Sequence, residues 1–482
     1  MIPLAALCLL PLAVALLSVL MRDLRRLRVV AGLGAAAHVV ATLIVVVPVL
    51  TGGCPVPVLG MFQLDGMAAW TIGVNALVYG AAMLSASLLL DRPSDLHLSE
   101  KGGRALFGLG SLFIVAANAV VSAADLGALW VAMEATTLVT APLILLHGSR
   151  RSIEAAWKYL ILCGVGIGFA LLGTMVLLAS AGRLPGAGLN IAWLTAHASQ
   201  LKRPLVDAGF ALFVLGYGTK AGLFPVHNWL PDAHSEAPAP ASALLSGALL
   251  NCAMVALWRI GGIVERSESS SLLLRLLAPM GAVTVFAAGI MLVRQRELKR
   301  MWAYSSIENM GLLAVGVALR VAPIFALHAF AHSLAKCSAF LLSGNLARLH
   351  GTGTLSKLTG IARSAPGVGF ALIAAGVAAM GAPPFCSFVS EWLLLAQATD
   401  RKMWGVMVLL VIGLSVSVIA VLVHLGSVVF GDRPNREQRP GGTAGSILPS
   451  MALLALSGLA SVAVTPNLLT FLAKALARGG TP

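Results

Sequence analysis

The sequence predicts an all-α polytopic membrane protein of about 14 transmembrane helices, with the seventh and the twelfth discontinuous. Three observations predict it. The 482 residues are 58% hydrophobic and 11% charged, with a mean hydropathy of +0.91, whereas soluble domains carry about 25% charged residues. Apolar runs of about 20 residues, the length that spans a bilayer as a helix, recur from end to end. The runs are apolar all round instead of alternating, which excludes a barrel. A cytosolic enzyme is thereby excluded.

The runs fall at roughly 2–20, 29–50, 66–90, 104–122, 124–146, 156–181, 205–230, 239–262, 272–293, 302–320, 322–346, 367–399, 403–430 and 446–472. The first is read as a span and not as a cleaved signal, because Arg22, Arg25, Arg26 and Arg28 follow it without a small-residue cleavage site. The expected organisation is 1–103 for helices one to three, 104–262 and 272–430 for two helical halves, and 446–482 for a C-terminal helix.

Orientation follows from the basic residues. Loops assigned alternately to two sides carry 20 Lys and Arg on one and 11 on the other. The richer side is expected to be cytoplasmic, with both termini on the outer side of the cell membrane. The formal charge of +14 is therefore a topology signal and not a nucleic-acid footprint. The six cysteines, Cys8, Cys54, Cys163, Cys252, Cys337 and Cys386, form no CxxC pair, so neither an iron–sulfur cluster nor structural zinc is expected. No nucleotide cradle appears, and Gly164, Gly166 and Gly168 read as close helix packing.

Two cations belong to no loop. Lys220 and Lys336 lie inside apolar runs, as do Glu134, Glu308 and Glu391, with Asp125 nearer an end. Each costs at least about 2.5–3.5 kcal/mol on insertion scales, so each is a functional candidate. Glu134 lies in run five and Lys220 in run seven, just before Pro225 and among Gly216, Gly218 and Gly222. Proline there should break the helix and free backbone groups for water or ions. A carboxylate facing Lys220 would favour its charged form and desolvation its neutral form. Two readings stand: a lysine that takes up and releases a proton, or a static Lys–Glu pair joining helices.

His328, His332 and Lys336 recur at i, i+4 and i+8, which places them on one helix face about 6 Å apart along the axis. They read as a proton relay, as hydrogen-bonded histidines, or more weakly as a metal site, since an ammonium repels a cation and HExxH is absent. Run twelve repeats the design of run seven, with Gly381, Pro383 and Pro384 as a break followed by Glu391. Two broken helices five runs apart look like the discontinuities of an inverted-repeat transporter. Secondary proton-path candidates are Lys158 and, as proton-passing groups or helix caps, His227, Asp232, His234 and Glu236. Asn251 is polar but cannot titrate, and Glu308 reads as a helix-start cap or relay member.

The stretches Trp130–Leu138, Lys220–Ser246, Tyr304–Gly311, His328–Asn345 and Pro383–Leu394 carry a family resemblance. The chain resembles the antiporter-like, proton-conducting membrane subunits of respiratory complex I, multisubunit sodium/proton antiporters and membrane-bound hydrogenases, over roughly residues 100–400. The runs Ser152–Tyr159 and Leu249–Cys252 are most similar to the branch represented by the F component of hydrogenase 4, of the group 4 [NiFe] hydrogenases.

The resemblance implies two inverted five-helix repeats. It implies that Glu134 and Lys220 serve the first half-channel, His328, His332 and Lys336 the centre and second half, and Glu391 the outward end. It implies a proton-translocating subunit of a redox-driven complex, an oxidoreductase whose redox site and soluble arm belong to partner subunits, with no cofactor or metal on this chain. The rival expectations are a subunit of a cation/proton antiporter or of a proton-driven inorganic-carbon importer, and a non-transporting scaffold. Asn251 departs from relatives with a titratable Lys or His in helix eight. The lateral C-terminal helix of the largest complex I subunit is not expected.

Overall fold

The computed structural model describes residues 2–52, 56–58, 60–89, 98–182, 184–432 and 447–477, with the backbone alone for 2–6 and 56–58. Cys54, residues 91–97 and 433–440 of two basic loops, and residues 478–482 lie outside the described residues. Helices dominate the described chain. α1 (Ile2–Leu20) and α2 (Leu24–Thr51) lead through a hairpin of β1 (Val56–Val58) and β2 (Phe62–Leu64) to α3 (Gly66–Leu89), α4 (Glu100–Ser122), α5 (Leu126–Ile144) and α6 (Arg150–Ala181). Short α7 (Ile191–Ala196) precedes α8 (Arg203–Ala221), α9 (Trp229–Glu236), α10 (Ala239–Leu244) and α11 (Leu250–Arg266). The rest comprises α12 (Ala278–Val293), α13 (Leu298–Leu319), α14 (Ala322–His350), short α15 (Ile361–Ser364), α16 (Pro366–Ala379), α17 (Cys386–Asp400), α18 (Trp404–Phe430), α19 (Leu448–Ala463) and α20 (Pro466–Ala477).

Helix starts follow local chemistry. Asp23, Ser99, Asp125, Ser149 and Asn190 each accept a backbone N–H in the first turn of the helix that follows, satisfying donors that have no intrahelical partner. Asp125 is thus the cap of α5. Among the described residues, nine helical stretches are long and apolar enough to cross a membrane alone. α2, α6 and α18 turn broad apolar faces outward, with Ile44, Trp157, Ile161, Val165 and Val423 exposed. Lipid is the solvent such faces require, so this is a multi-pass membrane protein.

The structure corrects several expectations. Run fourteen is not one helix: α19 and α20 meet at 107°, because Pro466 lacks the N–H that would continue α19. Glu308 is no helix-start cap, because α13 starts well before it, at Leu298, with Glu297 at the N-cap position. Gly166 does pack, since a Cβ there would meet Thr219 of α8 at 2.8 Å, but Gly164 and Gly168 face open space. The hairpin and α7 lie outside the expected runs, because strands of 3 residues and a helix of 6 are too short to cross a bilayer. The α14 helix lies at the centre, and its apolar span is buried throughout.

Candidate functional site

The first group of site residues forms around the break in run seven. α8 stops at Ala221, Gly222 takes a left-handed conformation at φ 77°, and its N–H returns to Gly218 and Thr219 carbonyls. A Cβ on Gly222 would sit 2.5 Å from Leu230 Cδ1, so the turn requires glycine on both counts. Pro225 lies in the open segment before α9, joined to Phe224 by a cis peptide bond. Trp229 Nε1 reaches back to the Thr219 carbonyl at 2.8 Å and closes the broken end.

Lys220, in the last turn of α8, is fully buried. Its ammonium donates to Thr137 Oγ1 at 2.8 Å and to the Tyr159 hydroxyl at 2.6 Å. It lies 4.7 Å from the Tyr159 ring centroid. Tyr159 also bonds Thr140 Oγ1 at 2.5 Å. The structure does not pair Lys220 with Glu134: no carboxylate of the described residues forms an ion pair with it. Glu134 sits one turn before Thr137 on α5, half-buried, with Oε2 buried and unpartnered. The static-pair reading therefore has no direct contact to rest on. The residue types missed in the sequence are hydroxyls, Thr137, Thr140 and Tyr159, which nothing in an apolar run sets apart.

Below the break, α9 carries the secondary candidates. Asp232 accepts from Lys158 at 3.2 Å and from Arg300 at 2.5 Å, and Lys158 also pairs with Glu154 at 2.6 Å. These side chains, with Arg151 and Glu236, line a cavity of about 250 Å³. The Glu236 side chain accepts a long bond of 3.4 Å from Ser149. His227 is buried between the rings of Phe224 and Tyr304, and its Nδ1 has no partner. His234 stacks on Phe340 with ring centroids 4.6 Å apart, and both its ring nitrogens lack partners.

The second group lies on α14. His328, His332 and Lys336 are all buried. His328 Nδ1 meets Ser390 Oγ at 2.9 Å, His332 Nε2 meets the Ser246 carbonyl at 3.2 Å, and the Lys336 ammonium donates to Ser305 Oγ. A π-helical turn at Leu245–Leu249 joins α10 to α11. Its widened backbone presents carbonyls sideways: Ser246 O to His332, and Gly247 O to Ser333 Oγ at 2.6 Å. Ser246 Oγ and Ser306 Oγ lie 2.8 Å apart, so hydroxyls bridge the elements that hold His332 and Lys336. Buried Glu308 stands one turn after Ser305 in the middle of α13. Asn251 donates to Ser333 Oγ at 2.7 Å and to the Ala329 carbonyl at 3.1 Å.

The third group is at the second break. α16 ends at Ala379, Gly381 has φ 65°, and a cis bond joins Pro383 to Pro384. Glu391 lies against this break: a Cβ on Gly381 would overlap the Glu391 carboxylate. Ser390, the neighbour of Glu391, holds His328. The geometry thus gathers His328, His332, Lys336, Glu308 and Glu391 around α14, and Lys220 with Glu134 around α5 and α8. Among the described residues no hydrogen bond joins the Lys220 group to the Asn251 group. No group of three or more His, Cys, Asp or Glu among them is arranged to hold a metal.

Two interior lysines, set among helices broken beside buried ionisable groups, define a multi-pass membrane protein with separate buried polar clusters in its core. Residues 123–420 match the family described as the NADH:quinone oxidoreductase/Mrp antiporter transmembrane domain, and the chain belongs to it. It is 36% identical over 372 residues to a hydrogenase-4 component F homolog of Methylacidiphilum infernorum, covering 76% of this chain and 78% of the relative. It is 33% identical over 346 residues to NADH-quinone oxidoreductase subunit N of Desulforudis audaxviator, covering 70% and 66%. Its fold is similar to that of a chain of an archaeal membrane-bound sulfane sulfur reductase, with a TM-score of 0.86, 24% identity and 98% and 97% coverage. It is equally similar to a chain of the Mrp complex of a Dietzia species, with a TM-score of 0.86, 20% identity and 100% and 98% coverage.

Proposed function

We propose that this chain is the proton-translocating membrane subunit of a redox-driven complex, of the group 4 [NiFe]-hydrogenase or NADH dehydrogenase-like kind. The observation that carries the reading is the environment of Lys220: fully buried, and held by two hydroxyls instead of a carboxylate. A hydroxyl both accepts and donates. Tyr159 and Thr137 can therefore accept from the ammonium form, and one of them can donate to the amine form. Lysine in this cradle stays hydrogen-bonded whether or not it carries the proton, which a fixed ion pair would not allow.

In this reading protons enter past Asp232 and His227, reach Lys220, and pass by water and hydroxyls to His332, Lys336 and His328 and on to Glu391. Glu134, one turn from Thr137, biases Lys220 through space. The chain crosses the cell membrane fourteen times as two inverted five-helix repeats, with both termini outside. Other membrane subunits connect it to a soluble redox arm that supplies the drive, and the chain itself holds no cofactor. Two interior breaks that each carry a left-handed glycine beside a buried ionisable residue, Gly222 by Lys220 and Gly381 by Glu391, support the repeat.

The test is purification of the tagged chain in mild detergent, with mass spectrometry of its companions. A nickel-containing large subunit and iron–sulfur subunits are expected. Antiporter subunits or a soluble zinc protein without any redox partner would contradict the redox drive and move the reading to ion exchange or inorganic-carbon uptake.

A further inference from the structure

Buried polar groups lie at intervals between Asn251 and a pocket on the face that carries the hairpin. Asn251 and Cys252 are neighbours on α11, about 100° apart around its axis. Asn251 faces α14 through Ser333. Cys252 faces the other way, with Sγ 3.6 Å from the Ala117 carbonyl of α4 and 4.0 Å from Asn75 Nδ2 of α3. Asn75 Nδ2 also donates to Asn118 Oδ1 at 3.2 Å. One turn further along α4, the Val121 carbonyl accepts from the Arg259 guanidinium at 2.7 Å, and that guanidinium holds buried Asp65 at 2.8 Å. Asp65 and Arg259 line a cavity of about 310 Å³ together with Ala192, Trp258, Glu265 and Arg320.

Four buried polar atoms along this line have no partner in the protein: Asn251 Oδ1, Asn75 Oδ1, Asn118 Nδ2 and Arg259 Nε. Buried polar atoms without partners are costly, and nearly all are satisfied by protein or water. A buried water needs two to four polar partners, and the asparagines and the guanidinium supply them at successive levels. Plain helix packing would be served better by apolar side chains at these positions.

We propose that these groups line a water-mediated proton branch from Asn251 to the hairpin face, with the Asp65–Arg259 pair at its mouth. The inference rests on the proton-carrying reading above and on the hairpin face being the outer one. No covalent step is involved. Each water accepts a proton from the Asn251 side and gives one up toward the pocket, the last proton leaves to outer water, and the amides orient the chain without ionising.

The test uses proteoliposomes of the purified complex, energised by the redox couple that turns it over, with proton uptake read by a fluorescent dye and divided by electron transfer. Asn75→Leu with Asn118→Leu should lower the protons moved per electron to the share that still leaves past Glu391. Asn118→Ser, which keeps a polar group, should retain most of it. Ala192→Trp, an exposed pocket-lining position, should lower it without touching the interior, and decides the matter if the leucine variant does not assemble. A normal ratio in the assembled leucine variant, a normal ratio in Ala192→Trp, or an equal loss in Asn118→Ser would each overturn the branch. Lys220→Ala, run in parallel, separates the two readings. Lost pumping there with normal pumping in the leucine variant overturns the branch alone, and normal pumping there overturns both.

Discussion

The Lys220 ammonium lies 2.6 Å from the Tyr159 hydroxyl, and no carboxylate among the described residues pairs with it. The second interior lysine shares this arrangement, because Lys336 also rests on a hydroxyl, that of Ser305. Burying an isolated ammonium is expensive unless it is hydrogen-bonded. The hydroxyls lower that cost without fixing the charge state.

Tyr159→Phe removes one of the two acceptors of Lys220 and leaves Thr137 in place. A hydrogen bond to a charged group is worth about 1.5–3 kcal/mol, so proton translocation should fall by roughly tenfold or more while the complex still assembles. Thr137→Val should act in the same direction. Translocation rates of the assembled variants in vesicles check this, and unchanged rates in both would remove the hydroxyl cradle from the mechanism.

Gly222→Ala should destabilise the protein. Alanine at φ 77° is strained, at a cost of about 1–3 kcal/mol, and its Cβ would press on Leu230. A lowered midpoint of thermal unfolding in detergent is the expected result. Gly381→Ala is strained in the same way at φ 65°, and its Cβ would also displace the Glu391 carboxylate. There a loss of translocation is expected in addition to a comparable fall in the unfolding midpoint.

Asp232 ties α9 to α6 through Lys158 and to α13 through Arg300. The three side chains are partly exposed, so the pairs contribute about 1 kcal/mol or less. Asp232→Asn should lower the unfolding midpoint slightly at low salt and hardly at all at high salt, where exposed charges are screened. Equal shifts at both salt levels would mean the cluster is not an exposed ion-pair network.

Much of the helical framework was legible in composition alone, because lipid imposes long apolar runs on any chain that crosses it. The two breaks were legible for a local reason: Pro225 and Pro383–Pro384 cannot continue a helix. Thr465–Pro466 carried the same signal in run fourteen, and its apolar flanks concealed the 107° bend. Lys220, Lys336 and Glu391 stood out because charge inside an apolar run is rare. Their partners did not. Thr137 and Tyr159 reach Lys220 from two other helices, and residues 83 and 61 positions away come together only by packing. The facing carboxylate expected of Glu134 was reasonable by charge, but the helices place it one turn from contact. The π-helical turn at Leu245–Leu249 has no composition that sets it apart in the sequence.

Ser246 and Ser306 bridge the elements that hold His332 and Lys336. Changing both to alanine should slow translocation by about tenfold and leave assembly intact, since two small buried hydroxyls would be lost from a hydrogen-bonded chain. Single changes should do less, because water can replace one hydroxyl. Stopped-flow dye measurements on vesicles check the rates, and a double variant as fast as the parent would contradict a path through these serines.

The central claim is that Lys220 carries the transferred proton. The measurement that tests it most directly is the ratio of protons translocated to electrons transferred in vesicles holding the assembled Lys220→Ala complex. A loss on the order of a hundredfold, as for removal of a proton-transferring side chain, with subunit composition unchanged, is the predicted result. A parental ratio in a stably assembled Lys220→Ala complex would contradict it.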